Sequence, residues 1–235
     1  MSFNFSPKVV TDGLVLYLDA ANTKSYTSGS TTWNDISRGG NNGTLVNGPT
    51  FSSANGGSLL FDGTNDYTTI PYKSDLNPTN NLTFSQWVKR TVDDTSIRNP
   101  IEMIASGDEL YFILFRGDLT PKRWQFGIRQ SNGTYQQSLT TGYLELNVWY
   151  NLTYVADSSN NTLSVYVNGL YDSSPIVKTY NGTLKVNSGA TLYIGAESSG
   201  GRFFKGNIGT TIIYNRALSA TEVLQNYNAT KSRFI

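Results

Sequence analysis

Apolar and polar residues alternate one-for-one along much of this chain, most clearly from Trp149 to Gly169. Tyr150, Leu152, Tyr154 and Ala156 fall on one side; Trp149, Asn151, Thr153 and Val155 fall on the other. Leu163, Val165 and Val167 then alternate with Ser164, Tyr166 and Asn168. A period of two predicts strands with one buried and one wet face. The polar run Asp157–Asn161 between them predicts a turn. Asn168-Gly169 adds a two-residue hairpin signal, because both central positions of a type I′ turn need positive φ. The pattern predicts a three-strand meander ending near Tyr171 or Asp172.

Further strands are predicted at Leu14–Leu18, Ser58–Asp62, Tyr67–Ile70, Leu82–Val92, Ile101–Ala105, Tyr111–Phe115, Trp124–Ile128, Thr191–Gly195 and Thr211–Tyr214. Residues 20–57 read as loop-rich, anchored by Trp33, Leu45 and Phe51. Ser219 followed three positions later by Glu222 is a capping-box pattern and predicts one short helix, with Val223, Leu224 and Tyr227 on one side. Many strands, polar turns and one terminal helix predict an all-β, two-sheet antiparallel jelly-roll sandwich. No linker or internal repeat divides the chain, so residues 1–235 are read as a single domain.

Composition narrows the function. The 235 residues carry 18 Lys and Arg against 17 Asp and Glu, which gives no electrostatic case for nucleic acid. Cysteine and histidine are absent, excluding thiolate and histidine metal sites and a Ser-His-Asp triad. No apolar run reaches membrane-spanning length. The opening residues lack the basic and apolar regions of a secretory signal, so synthesis in a cytoplasm is expected.

Three stretches match one family pattern: SLLFDGTNDY at 58–67, the run from Trp149-Tyr150 to Asn168-Gly169, and the run from Ile194-Gly195 through Gly206 to YNRALS at 214–219. Together they resemble the laminin G-like, concanavalin A-like lectin/glucanase domains, which implies a concanavalin A-like sandwich. The openings SPKVVTDGLVLYLDAAN and WNDISRGGNNGTLVNGPTF, with QNYNATKSRF near the end, resemble the version of this domain in structural proteins of tailed, especially marine, bacteriophages. That resemblance implies a virion structural protein on the particle exterior; with no extended-shaft or coiled-coil pattern in the sequence, a capsid decoration or accessory unit with a role in glycan attachment is expected. Its partners would be other capsid or tail proteins, cell-surface glycans or further copies of itself. The rivals are a free carbohydrate-binding lectin and a tail-fibre or receptor-binding component. Many family members carry an acidic pair near the last strand that helps hold a structural calcium; Gly209 and Thr210 stand there instead.

The candidate chemistry follows. Glycosidases need two carboxyl groups across a cleft. No Asp or Glu pair here has the i, i+2 spacing of the glucanase branch, although distant carboxylates can converge in space; the expectation is no catalytic residue and no enzyme. Asp62, Asn65 and Asp66 offer three oxygen side chains in one turn, either for a structural calcium ion or as Asx-turns fixing the hairpin. Trp87, Gln125 and Arg129 are the candidates for a sugar-binding surface, with a core position the competing reading for Trp87. Phe3, Phe5, Phe203, Phe204 and Phe234 lie near the ends or in a glycine-flanked loop, where they either contact a partner or tuck over the sandwich.

Overall fold

The computed structural model describes residues 7–172, 180, 182–198 and 200–235. Among them the alternating stretches become sixteen strands: β1 (Leu14–Asp19), β2 (Thr32–Trp33), β3 (Gly43–Val46), β4 (Thr50–Ser52), β5 (Ser58–Asp62), β6 (Tyr67–Pro71), β7 (Leu82–Arg90), β8 (Ile97–Ala105), β9 (Asp108–Arg116), β10 (Arg123–Arg129), β11 (Tyr135–Leu139), β12 (Trp149–Asp157), β13 (Thr162–Val167), β14 (Leu170–Asp172), β15 (Thr191–Ile194) and β16 (Lys205–Tyr214). One α-helix, α1 (Ala220–Thr230), follows β16. Sheet I runs β14-β13-β12-β7-β16-β5-β4, with β1 also paired to β16. Sheet II runs β11-β10-β9-β8-β15-β6-β3-β2. Neighbouring strands are antiparallel throughout. The chain is an all-β two-sheet sandwich with one short C-terminal helix, a concanavalin A-like jelly roll.

The meander predicted from the alternation is β12-β13-β14, with Leu152 opposite Val167 and Val165 opposite Asp172. Asn168 and Gly169 have φ of 53° and 75°, the positive values a type I′ turn requires. Leu152, Tyr154, Ala156, Leu163 and Val165 point between the sheets and join Phe84, Phe126, Ile113 and Ile213 in the main core. Strands β8 and β9 begin earlier than their apolar runs, because Ile97, Arg98, Asp108 and Glu109 still pair across the hairpin.

The second face of the meander departs from the sequence expectation. Trp149, Asn151, Thr153 and Val155 are buried too. Helix α1 and the segments flanking it cover this outer face of sheet I. Val155, Tyr166, Ile212 and Tyr214 pack with Leu218 and Val223 in a second cluster, against which Val9 and Val10 rest. The helix starts on the predicted box: Ser219 Oγ accepts from the Glu222 amide, and Glu222 Oε2 accepts from the Ser219 amide at 2.9 Å. The N-terminal segment is tied to the helix by hydrogen bonds: the Val10 amide donates to Asn226 Oδ1 at 2.8 Å, and Tyr214 Oη donates to the Val10 carbonyl at 2.9 Å.

Candidate functional site

The two outer faces of the sandwich differ, and the difference decides where a ligand can meet the protein. On sheet I the centre is closed by an aromatic stack. Phe234 lies with its ring 4.4 Å from Trp87 and 4.7 Å from Trp149, and Tyr227 stacks on Trp87 at 5.7 Å. Trp87 Nε1 donates to Thr230 Oγ1 at 2.8 Å. The close approach of Phe234 needs Gly209, which sits at a register shift in β16; a Cβ there would lie 2.5 Å from Phe234 Cζ. Beside the stack, the Ser85, Asn151 and Thr153 side chains satisfy one another. Trp87 is fully buried by these contacts. The structure therefore corrects its candidacy as a sugar platform: it anchors the C-terminal segment.

The outer face of sheet II carries a polar layer instead. Strand pairing sets Gln125 of β10 beside Leu114 and Leu139, and Gly127 beside Phe112 and Gln137. The Phe112 ring lies across Gly127, where a Cβ would come within 2.2 Å of it. A chain of side-chain hydrogen bonds runs over this floor. Arg116 Nη1 donates to Gln125 Oε1 at 2.8 Å, and Gln125 Nε2 donates to Gln137 Oε1 at 2.7 Å. Arg116 is fixed from behind by Asp118 at 2.6 Å. Arg129 pairs with Asp108 at 3.0 Å and lies 3.9 Å over the Tyr135 ring. Ile97, Glu109, Phe112, Leu114, Arg116, Gln125, Gln137 and Arg202 line a hollow of about 190 Å³. Phe112 is 1% exposed and Arg129 covers one face of Tyr135, so what the hollow offers a ligand is the hydrogen-bonding capacity of its amide and guanidinium groups. Gln125 and Arg129 both stand on this face. A larger hollow of about 510 Å³ beside the start of β1, between residues 11–14 and 36–38, has no aromatic ring in its lining.

Next to the polar layer three carboxylates converge. Glu102 projects from β8, opposite Phe112 on one side and Tyr193 on the other. Glu109 follows across the Ser106-Gly107 turn, whose φ values are 50° and 82°. Glu197 arrives on the loop from β15 to β16, which is pinned where the Asn99 amide donates to the Arg202 carbonyl at 2.8 Å. One oxygen of each carboxylate lies within 4.8 Å of the others. Arg202 reaches Glu109 at 3.1 Å and Glu197 at 3.3 Å. Glu102 is fully buried and accepts from Asn99 Nδ2. Burial, then the neighbouring Glu109 and Glu197 charges, push its carboxyl up to about 9. No local motif marks this group. The signal available in the sequence is one charged residue inside the apolar run Ile101–Ile104.

At the predicted calcium turn, Asp62 Oδ1 accepts from the Thr64 and Asn65 amides at 2.7 and 3.3 Å, and Asp66 Oδ2 accepts from the Asp62 amide at 3.0 Å. These backbone donors hold the Asp62 carboxyl below its usual range, while burial raises that of Asp66. The Asn65 carbonyl accepts from Asn47 Nδ2 at 2.8 Å. The turn is fixed by Asx-type bonds, which occupy one oxygen of each carboxylate. Among the proposed partner contacts, Phe204 lies in the main core and Phe234 in the stack on Trp87, so both are corrected to packing residues. Phe203 is half-buried, 6.4 Å from Tyr67. Phe3 and Phe5 lie outside the described residues.

A sequence profile of the concanavalin A-like lectin/glucanases superfamily, in its laminin G-like form, matches residues 62–224. The chain belongs to this superfamily. No curated protein sequence matches it. Solved structures similar to this lectin-like domain include the ligand-binding domain of botulinum neurotoxin serotype D in complex with N-acetylneuraminic acid (TM-score 0.71, 15% identity, 93% of this chain and 51% of that one). The binding domain of Paraclostridial Mosquitocidal Protein 1 is another (TM-score 0.69, 17% identity, 93% and 52%). Trypanosoma rangeli sialidase in complex with sialic acid is a third (TM-score 0.68, 17% identity, 96% and 34%). This chain spans about half the length of the two toxin domains and about a third of the sialidase. At such identities the likeness establishes a shared fold.

Proposed function

We propose that this lectin-like chain is a non-catalytic structural protein on the exterior of a tailed-phage particle, a decoration or accessory unit that engages cell-surface glycans. The observation that carries the glycan reading is the asymmetry of the sandwich. Sheet I is closed by α1 and Phe234, whereas on sheet II Arg116, Gln137 and Arg129 are half-buried and Gln125 lies just beneath them, with no described helix packed over them. Two of the similar structures were solved with N-acetylneuraminic acid or sialic acid bound, which supports a sugar as the ligand class. The phage setting rests on the resemblance of the opening and closing stretches.

Lack of catalysis is supported by the placement of the carboxylates. A glycosidase aims two carboxyl groups at one scissile bond. Here Glu102 is shut off from solvent, and Glu109 and Glu197 are both engaged by Arg202. The rival role, a receptor-binding part of a tail, draws support from the two toxin binding domains that share the fold. Mass spectrometry of purified particles tests the setting. Presence at a copy number comparable to the major capsid protein supports a decoration role, and a few copies per particle support the tail. Absence from particles overturns the virion reading and leaves a free lectin.

A further inference from the structure

We propose that Glu102, Glu109 and Glu197 form a binding site for one divalent cation of the hard, oxygen-seeking class, with calcium as the fitting ion. The three carboxylates come from three separate parts of the chain: strand β8, strand β9 and the loop entering β16. Their nearest oxygens lie within 4.8 Å of one another. Calcium holds oxygens at about 2.3–2.6 Å, so two ligands of one ion stand at most about 5 Å apart. The three oxygens meet that limit together. The six to eight oxygens that calcium takes would be completed by water and by second oxygens of these carboxylates.

Two further observations point to a ligand. Glu102 is fully buried, and among the described residues its Oε1 has no hydrogen-bond partner while Asn99 donates to its Oε2. Asn99 is itself fully buried with its own Oδ1 unpartnered, against the same carboxylate. Buried acceptors left empty in pairs are uncommon in native structures, and an ion or water is the usual explanation. Among the described residues the cation in contact with the cluster is Arg202, which pairs with Glu109 and Glu197 and forms no ion pair with Glu102. Glu197 lines a hollow of about 470 Å³ with the Ser106-Gly107 turn and Tyr193, and Glu109 and Arg202 line the hollow of about 190 Å³ over Phe112.

The test is calorimetric titration of the chelator-stripped full chain with calcium chloride, with melting curves recorded in parallel. The proposal expects one ion per chain and a melting temperature that rises to saturation with calcium, since binding to the native state alone stabilises it. Glu197→Gln, in the surface loop, should weaken binding at least tenfold, and Glu102→Gln should remove measurable binding. The double variant Asp62→Asn, Asp66→Asn should bind as the native chain does. Absence of calcium heat and of any melting shift in the native chain would overturn the site. So would undiminished binding in Glu197→Gln, or loss of binding in the Asp62, Asp66 variant instead. Should Glu102→Gln fail to fold, the Glu197→Gln result decides alone.

Discussion

Replacing Phe234 by alanine removes the ring that closes the outer face of sheet I. The ring is 5% exposed and stacks on both Trp87 and Trp149. Burying a Phe side chain is worth about 1.5–3 kcal/mol, and each aromatic pair adds roughly 0.5–1.5 kcal/mol. Core Phe-to-Ala changes cost about 3–5 kcal/mol. The short 3-10 turn Lys231–Arg233 that carries Phe234 can relax into the gap, which favours the low end, about 3 kcal/mol. For a chain of this size that lowers the melting temperature by roughly 6–12 °C. Trp87 and Trp149 report the change directly: their emission should shift to the red, and acrylamide should quench them more. Gly209→Ala sharpens the test, because its new Cβ would meet Phe234 Cζ at 2.5 Å. It should destabilise the native chain but not the Phe234→Ala chain, giving a coupling energy of about 1 kcal/mol or more. Unchanged tryptophan emission with a melting point within about 1 °C of the native chain, or additive effects of the two substitutions, would refute the closed-face reasoning.

Glu222 gives a prediction in acid. Hydrogen bonding to Arg216 holds its carboxyl at about 2, below the value of 4.5 expected in the unfolded chain. The unfolded state therefore takes up the proton first, so the stabilisation is complete above about pH 4.5 and disappears as the pH falls towards about 2. With the pair partly solvated, about 1–2 kcal/mol is at stake, and Glu222→Gln should melt lower than the native chain at pH 7 but alongside it near pH 2. Arg90 is almost fully buried and donates to the Val92 and Leu144 carbonyls, Asp93 and Tyr143, while lying 4.1 Å over the Phe115 ring. Arg90→Ala should cost about 3–5 kcal/mol in urea denaturation, and Arg90→Lys should recover little of it, since an ammonium lacks the planar fork. A screen against β-glucans, agars and chitin should show no hydrolysis; turnover abolished by Glu102→Gln would overturn the non-catalytic reading.

Strand positions were legible because alternation reports directly which residues share a face. Ser58–Asp62 and the β12-β13-β14 meander follow the pattern closely, and the Ser219–Glu222 box marks where α1 begins. Alternation does not say what lies against the second face. Trp87, Asn151 and Thr153 have the spacing of a wet face, yet α1 and Phe234 arrive from the far end of the sequence and bury them. The same limit hid the carboxylate cluster. Glu102 and Glu109 meet through hairpin register, and Glu197 joins them through a loop, so no local spacing links the three. Gln125 and Arg129 were legible because a strand that keeps Trp124, Phe126 and Ile128 inside must turn its odd positions outward.

Glycan recognition by the outer face of sheet II is tested most directly by a glycan array probed with the native chain and with the double variant Gln125→Ala, Gln137→Ala. The native chain should retain a defined set of glycans. The double variant should lose at least tenfold of that binding while keeping its circular dichroism spectrum and cooperative melt. An array on which the native chain retains no glycan, or on which the double variant binds equally well, would contradict the assignment of this face.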